Sequence, residues 1–115
     1  LPLPVVALDA MLKDLMVLMS QGQRGCVGVL DANGSLTGII TDGDLRRYFL
    51  EATDLSVQAK TIMTQGPKTV SPSDLAGDAL SLMQANRISA VFAVDPAGKP
   101  LGVLDIKQLM RLGVL

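Results

Sequence analysis

The chain is one short unit written twice. Shifted by 64 positions without a gap, residues 6–50 and 70–114 are identical at ten places: Val6/Val70, Asp14/Asp78, Leu18/Leu82, Met19/Met83, Val27/Val91, Asp31/Asp95, Gly34/Gly98, Gly38/Gly102, Leu45/Leu109 and Arg47/Arg111. Most other pairs keep their polarity class. A repeat constrains a fold more than any local propensity does, because it sets the order of elements in both halves at once. Each copy, at about 50 residues, lies near the size where a lone core is marginal. The halves are therefore expected to pack face to face about a pseudo-two-fold axis. A cleft between such halves is a natural ligand site. The expected division is residues 1–50 for the first unit, 51–67 for a connecting segment and 68–115 for the second unit.

Local patterns give each unit the same order. Residues 11–21 carry apolar side chains at 11, 12, 15, 16, 18 and 19, a wide helical stripe ended by Gly22 and Gly25. Short Val/Leu/Ile-rich strands are expected at 26–30 and 36–40. Asp31-Ala32-Asn33-Gly34 joins them as a turn, with Asp first and Gly last. A helix is expected at 42–50. The second copy predicts a strand at 68–70, a helix at 74–86, a hairpin of 91–94 and 101–104, and a last helix at 105–112. Its turn is Asp95-Pro96-Ala97-Gly98, with proline where a fixed φ fits. Strand, helix, hairpin, helix, twice, is an α+β fold rather than a doubly wound sheet.

Composition closes several routes to function. The 115 residues hold ten Lys and Arg against eleven Asp and Glu, a net charge of −1. No basic stripe exists, and Tyr48, Phe49 and Phe92 are the only aromatics, so the chain lacks what nucleic-acid binding requires. Histidine is absent, which removes the usual general base near neutral pH. One cysteine and no histidine offer no standard zinc set. No Walker or dinucleotide loop is present. The residues thus argue against an enzyme and call for no metal or cofactor. No apolar run reaches the roughly 18 residues of a membrane span, and no signal peptide is visible, so a cytoplasmic location is expected. Cys26 sits in an apolar strand and reads as a buried structural thiol. The hydrophobic share of 49% exceeds the needs of one small core and predicts a dimer through the faces at 11–19 and 105–112. The opening Leu1-Pro2-Leu3-Pro4 looks like a cut through a linker, as in a fragment of a longer protein.

One local motif stands out, Gly38-Ile39-Ile40-Thr41-Asp42-Gly43-Asp44. It places a strand end before a helix start, and two readings fit. In the first, Thr41 caps the helix and Asp44 reaches back to its amide, a capping box. In the second, Asp44 accepts two hydrogen bonds from a ribose diol while Thr41 and free helix amides hold a phosphate. The second copy has Asp105 and Gln108 at these places. Asp105 would repel a phosphate, so any nucleotide should prefer the first unit. Arg46 and Arg47 read as a solvated helix face.

The repeated unit resembles the CBS domain, the module named after cystathionine β-synthase, in tandem. The likeness covers the whole chain. It rests on Ile62-Met63-Thr64…Pro67…Val70, on the helices with Asp-Ala-Leu character, on Asp31 and Asp95 before the turns, and on the Gly38-to-Asp44 segment. In such pairs the Ser/Thr-x-x-Asp motif binds ribose and phosphate between units. The resemblance therefore implies ligand contacts at Thr41 and Asp44, with Ile39 on the base. It implies an opposite wall from Arg87, Ile88, Ser89 and Ala90, and closure by Thr64, Lys68 and Thr69. Thr41-Asp42-Gly43-Asp44-Leu45-Arg46-Arg47 further resembles the CBS pair of bacterial D-arabinose-5-phosphate isomerases, as do the two ends of the chain. That likeness implies a regulatory half whose attached sugar-isomerase domain is absent here. Such an enzyme supplies arabinose 5-phosphate for 3-deoxy-D-manno-octulosonate (Kdo), a lipopolysaccharide sugar. Pathway logic then makes the effector CMP-Kdo, with Lys68, Arg87 and Lys107 as cations for its carboxylate. The rivals are AMP or ATP as effector, and an assembly module that binds nothing.

Overall fold

The computed structural model describes residues 3–22, 25–74 and 76–106. It divides into two compact units, Leu1–Pro67 and Lys68–Leu115, each with its own core. Among the described residues, no helix is long and apolar enough to cross a membrane.

The first unit runs β1 (Val5–Ala7), α1 (Leu12–Gly22), β2 (Cys26–Leu30), β3 (Leu36–Thr41), α2 (Asp42–Glu51), α3 (Ala59–Ile62) and β4 (Thr64–Gln65). Its sheet has the order β1-β2-β3-β4, parallel between β1 and β2 and antiparallel after that. The core follows from sequence periodicity. Leu12, Leu15 and Met19 fall on one face of α1 and are buried against Val27 and Val29 of β2 and Ile40 of β3. The stripe is narrower than the apolar residues suggested. Met16, on that stripe, is 46% exposed, and Val17, off it, is 50% exposed. Cys26 is buried in β2, as its surroundings predicted.

The second unit repeats the plan with β5 (Thr69–Val70), α4 (Ala76–Asn86), β6 (Ala90–Val94) and β7 (Pro100–Asp105). The repeat extends to hydrogen-bond register. Val5 pairs Gly28 and Thr69 pairs Phe92; Cys26 pairs Thr41 and Ala90 pairs Asp105. The irregularity between Val29 and Leu30 recurs between Ala93 and Val94. All these pairs differ by the same 64 positions. The predicted last helix at 105–112 lies largely outside the described residues.

Both hairpins turn on the same device. Asp31 Oδ1 accepts from the amides of Asn33 and Ser35 at 2.9 and 3.0 Å, and Asp95 Oδ1 accepts from those of Ala97 and Lys99, both at 2.9 Å. Gly34 and Gly98 close the turns at φ +81° and +86°, where a side chain would be strained.

The connecting segment is where the structure adds most to the sequence reading. Residues 59–65 form α3 and β4, and β4 joins the first sheet by pairing Gly38 with Gln65 and Ile39 with Thr64. Gly38 makes this possible. Any Cβ at that position would collide with the Met63 side chain, so the bare backbone is the seat of the methionine.

Candidate functional site

The chain turns from strand to helix at Thr41. Its backbone is extended (φ −112°, ψ 169°), so it ends β3 and serves as N-cap of α2. Its Oγ1 accepts the Asp44 amide at 3.2 Å, and Asp44 Oδ2 accepts the Thr41 amide at 2.8 Å. The capping box read from the sequence is therefore formed. It satisfies two amides that a helix start leaves without partners.

Asp44 does more than cap. Only 7% exposed, it is the buried charged residue among those described. A buried carboxylate is tolerated only when its oxygens are matched by donors. Oδ2 accepts from the Thr41 amide and, at 3.1 Å, from the Thr41 hydroxyl. Oδ1 accepts from the Arg47 guanidinium one turn along α2 and from the Thr64 hydroxyl at 3.1 Å. The Arg47 side chain is 69% exposed, so its pair with Asp44 is open to solvent and salt on one side.

Thr41, Asp44 and Thr64 are thus brought together, and Arg47 joins them. Arg47 keeps the exposure expected of a solvated helix face, and its three-residue spacing from Asp44 is the sequence signal for their pairing. Ile39 lies half-buried on β3, two residues before Thr41, between Gly28 and Thr64 on the neighbouring strands.

The remaining candidates belong to the second unit. Lys68 and Thr69 are exposed at the start of β5. Arg87, Ile88, Ser89 and Ala90 form the joint from α4 into β6. There the Ile88 amide donates to the Met83 carbonyl at 2.9 Å, and the Arg87 amide to that of Gln84 at 3.3 Å. This is a Schellman closure with arginine, at φ 54°, in the left-handed position that glycine usually fills. Arg87 and Ser89 are exposed, Ile88 packs against the second core, and Ala90 is buried. Lys107 and Gln108 lie outside the described residues.

Comparison with known proteins accounts for the repeat. The family model for the CBS domain matches residues 1–51 and 59–114. Arabinose 5-phosphate isomerase KdsD of Pseudomonas aeruginosa is 40% identical over 114 residues, covering 98% of this chain and 35% of that protein. The chain spans about a third of the length of the curated relatives it matches. Among solved structures, the CBS domain protein PAE2072 from Pyrobaculum aerophilum, complexed with AMP, superposes with a TM-score of 0.86 at 20% identity, over 100% of this chain and 94% of its own. CBSX2 in complex with AMP gives a TM-score of 0.81 at 25% identity, over 97% of this chain and 87% of its own.

Proposed function

The chain belongs to the CBS domain family, and from that premise we propose that it is a regulatory pair that binds a nucleotide-type effector. The observation that carries this reading is the buried Asp44 carboxylate beside Thr41 at the mouth of α2. A carboxylate there offers two acceptors to a ribose diol, and the helix start with the Thr41 hydroxyl suits a phosphate. Asp105, where the second unit has no matching hydroxyl, disfavours an equivalent site. Lys68, Thr69, Arg87, Ile88, Ser89, Ala90 and Lys107 complete the proposed contacts.

The likeness to arabinose 5-phosphate isomerases supports a role as the regulatory part of such an enzyme, with CMP-Kdo as effector. Restraint of an early pathway enzyme by its activated product is the chemical logic. Turnover then belongs to a separate isomerase domain, and the isolated chain should not interconvert ribulose and arabinose 5-phosphates. A second reading, AMP or ATP as effector, is favoured by the AMP complex of CBSX2. Calorimetry with CMP-Kdo, CMP, AMP and ATP separates the two. Tighter binding of CMP-Kdo supports the first; tighter binding of AMP or ATP replaces it with an energy sensor.

We also propose that the chain self-associates as a dimer. Met16 and Val17 of α1 and Phe49 and Leu50 of α2 are exposed apolar residues whose burial would be favourable. Light scattering at high protein concentration should give twice the chain mass, and a monomer mass would refute the proposal.

A further inference from the structure

We infer that effector binding at Asp44 is an exchange reaction that releases the Thr64 hydroxyl and with it β4, the strand that leads into the junction between units. The inference rests on the proposed nucleotide site and assigns it a conformational output.

A carboxylate has about four acceptor positions. In this structure Asp44 fills them with Thr41 N, Thr41 Oγ1, Arg47 and Thr64. An incoming diol must therefore displace existing donors. The two oxygens are not equivalent. Both bonds to Oδ2 come from Thr41 and belong to the helix cap. Both bonds to Oδ1 come from exposed side chains, Arg47 and Thr64, which water can satisfy once they leave. Exchange at Oδ1 thus leaves α2 capped and costs little.

Releasing Thr64 has a consequence because β4 is weakly held. It is two exposed residues long. Beyond its pairing with Gly38 and Ile39, its entry is held by Ile62 and Met63, which pack on the first core with Met63 over Gly38, and its exit by the Gly66 amide, which donates to the Thr37 carbonyl at 3.3 Å. The first unit ends at Pro67, two residues beyond β4. Loss of the Thr64 bond therefore leaves this last stretch of the first unit held by the β3 pairing, the Met63 seat and the Gly66 amide.

The test uses Thr64→Val, which keeps shape and strand propensity but removes the hydroxyl, and Thr64→Ser, which keeps the hydroxyl. CMP, AMP, ATP and CMP-Kdo are titrated into each, and hydrogen exchange is followed at the Gly66 amide. Removing a competing donor should tighten binding by about 3- to 10-fold in Thr64→Val, with Thr64→Ser close to the parent. A saturating nucleotide should speed exchange at Gly66 in the parent chain, while in Thr64→Val exchange is fast with or without nucleotide. Equal or weaker binding by Thr64→Val, or a Gly66 amide indifferent to bound nucleotide, overturns the exchange and leaves the site standing. If the parent chain binds none of the four, the site reading falls and the exchange falls with it.

Discussion

The hairpin ends of the two units are nearly interchangeable, whereas the opposite ends, where helices begin and finish, have diverged. Asp31 and Asp95 hold their turns with the same pair of amides, and the strand registers agree pair for pair. At the other end the first unit has Thr41 and a four-fold-bonded Asp44, tied to Arg47 and β4, while the second has Asp105. The joint after α4 carries Arg87 in a conformation suited to glycine. Turn geometry and register are demands every copy of the fold must meet. The helix mouths are free of them, and there a repeat can specialise one copy.

The largest expected effect concerns the cores. Leu15 is fully buried in α1, and its counterpart is Ala79, which is also buried. Leu15→Ala should cost about 2–5 kcal/mol, because the first unit is built around the larger side chain and cannot fully collapse. Denaturant unfolding measures this. A cost below 1 kcal/mol would mean the first core is as tolerant of alanine as the second.

Next is the divergence at the helix mouths. Asp44→Ala should weaken nucleotide binding by about 10- to 150-fold, the worth of charge-assisted hydrogen bonds, with Gln108→Ala far milder. Loss of the cap adds a stability cost of about 1 kcal/mol, so affinity is measured well below the unfolding temperature. Equal losses of affinity in the two variants would break the asymmetry between units.

Gly38 and Gly102 sharpen the same contrast. Gly38→Ala must push Met63 from its seat and should cost about 1–3 kcal/mol. Among the described residues nothing lies within 4 Å of a side chain beginning at Gly102, so Gly102→Ala should be nearly neutral. Matching shifts in Tm would show that the Met63 contact does not hold β4.

The smallest effect is a gain. A left-handed non-glycine residue costs about 1–2 kcal/mol, partly offset by the greater unfolded freedom of glycine. Arg87→Gly should therefore stabilise the chain by about 0.5–1 kcal/mol while weakening nucleotide binding. A stabilised variant with parental affinity would remove Arg87 from the proposed contacts.

Residue order alone determined much of this protein. Matches 64 positions apart implied two like units, and the apolar runs located the principal helices and strands. Asp-x-x-Gly marked both turns, and Thr41-x-x-Asp44 marked the helix mouth. Apart from the repeat, each is a short-range pattern whose physical cause, periodic burial or a local hydrogen bond, lies within a few residues. What only the tertiary structure decided involves contacts distant in sequence or choices among equivalent apolar residues. Met16 is as apolar as its neighbours on the stripe, yet is exposed, because Leu12, Leu15 and Met19 are the α1 residues buried against β2 and β3. The connecting segment could add β4 to the sheet because Gly38, far back in the chain, leaves space for Met63, while α3 is tied by the Ala59 and Lys60 amides to the carbonyls of Ala10 and Leu8. The full set of partners at Asp44 depends on Thr64, 20 residues away, and no spacing rule reaches across a strand pairing that has yet to form.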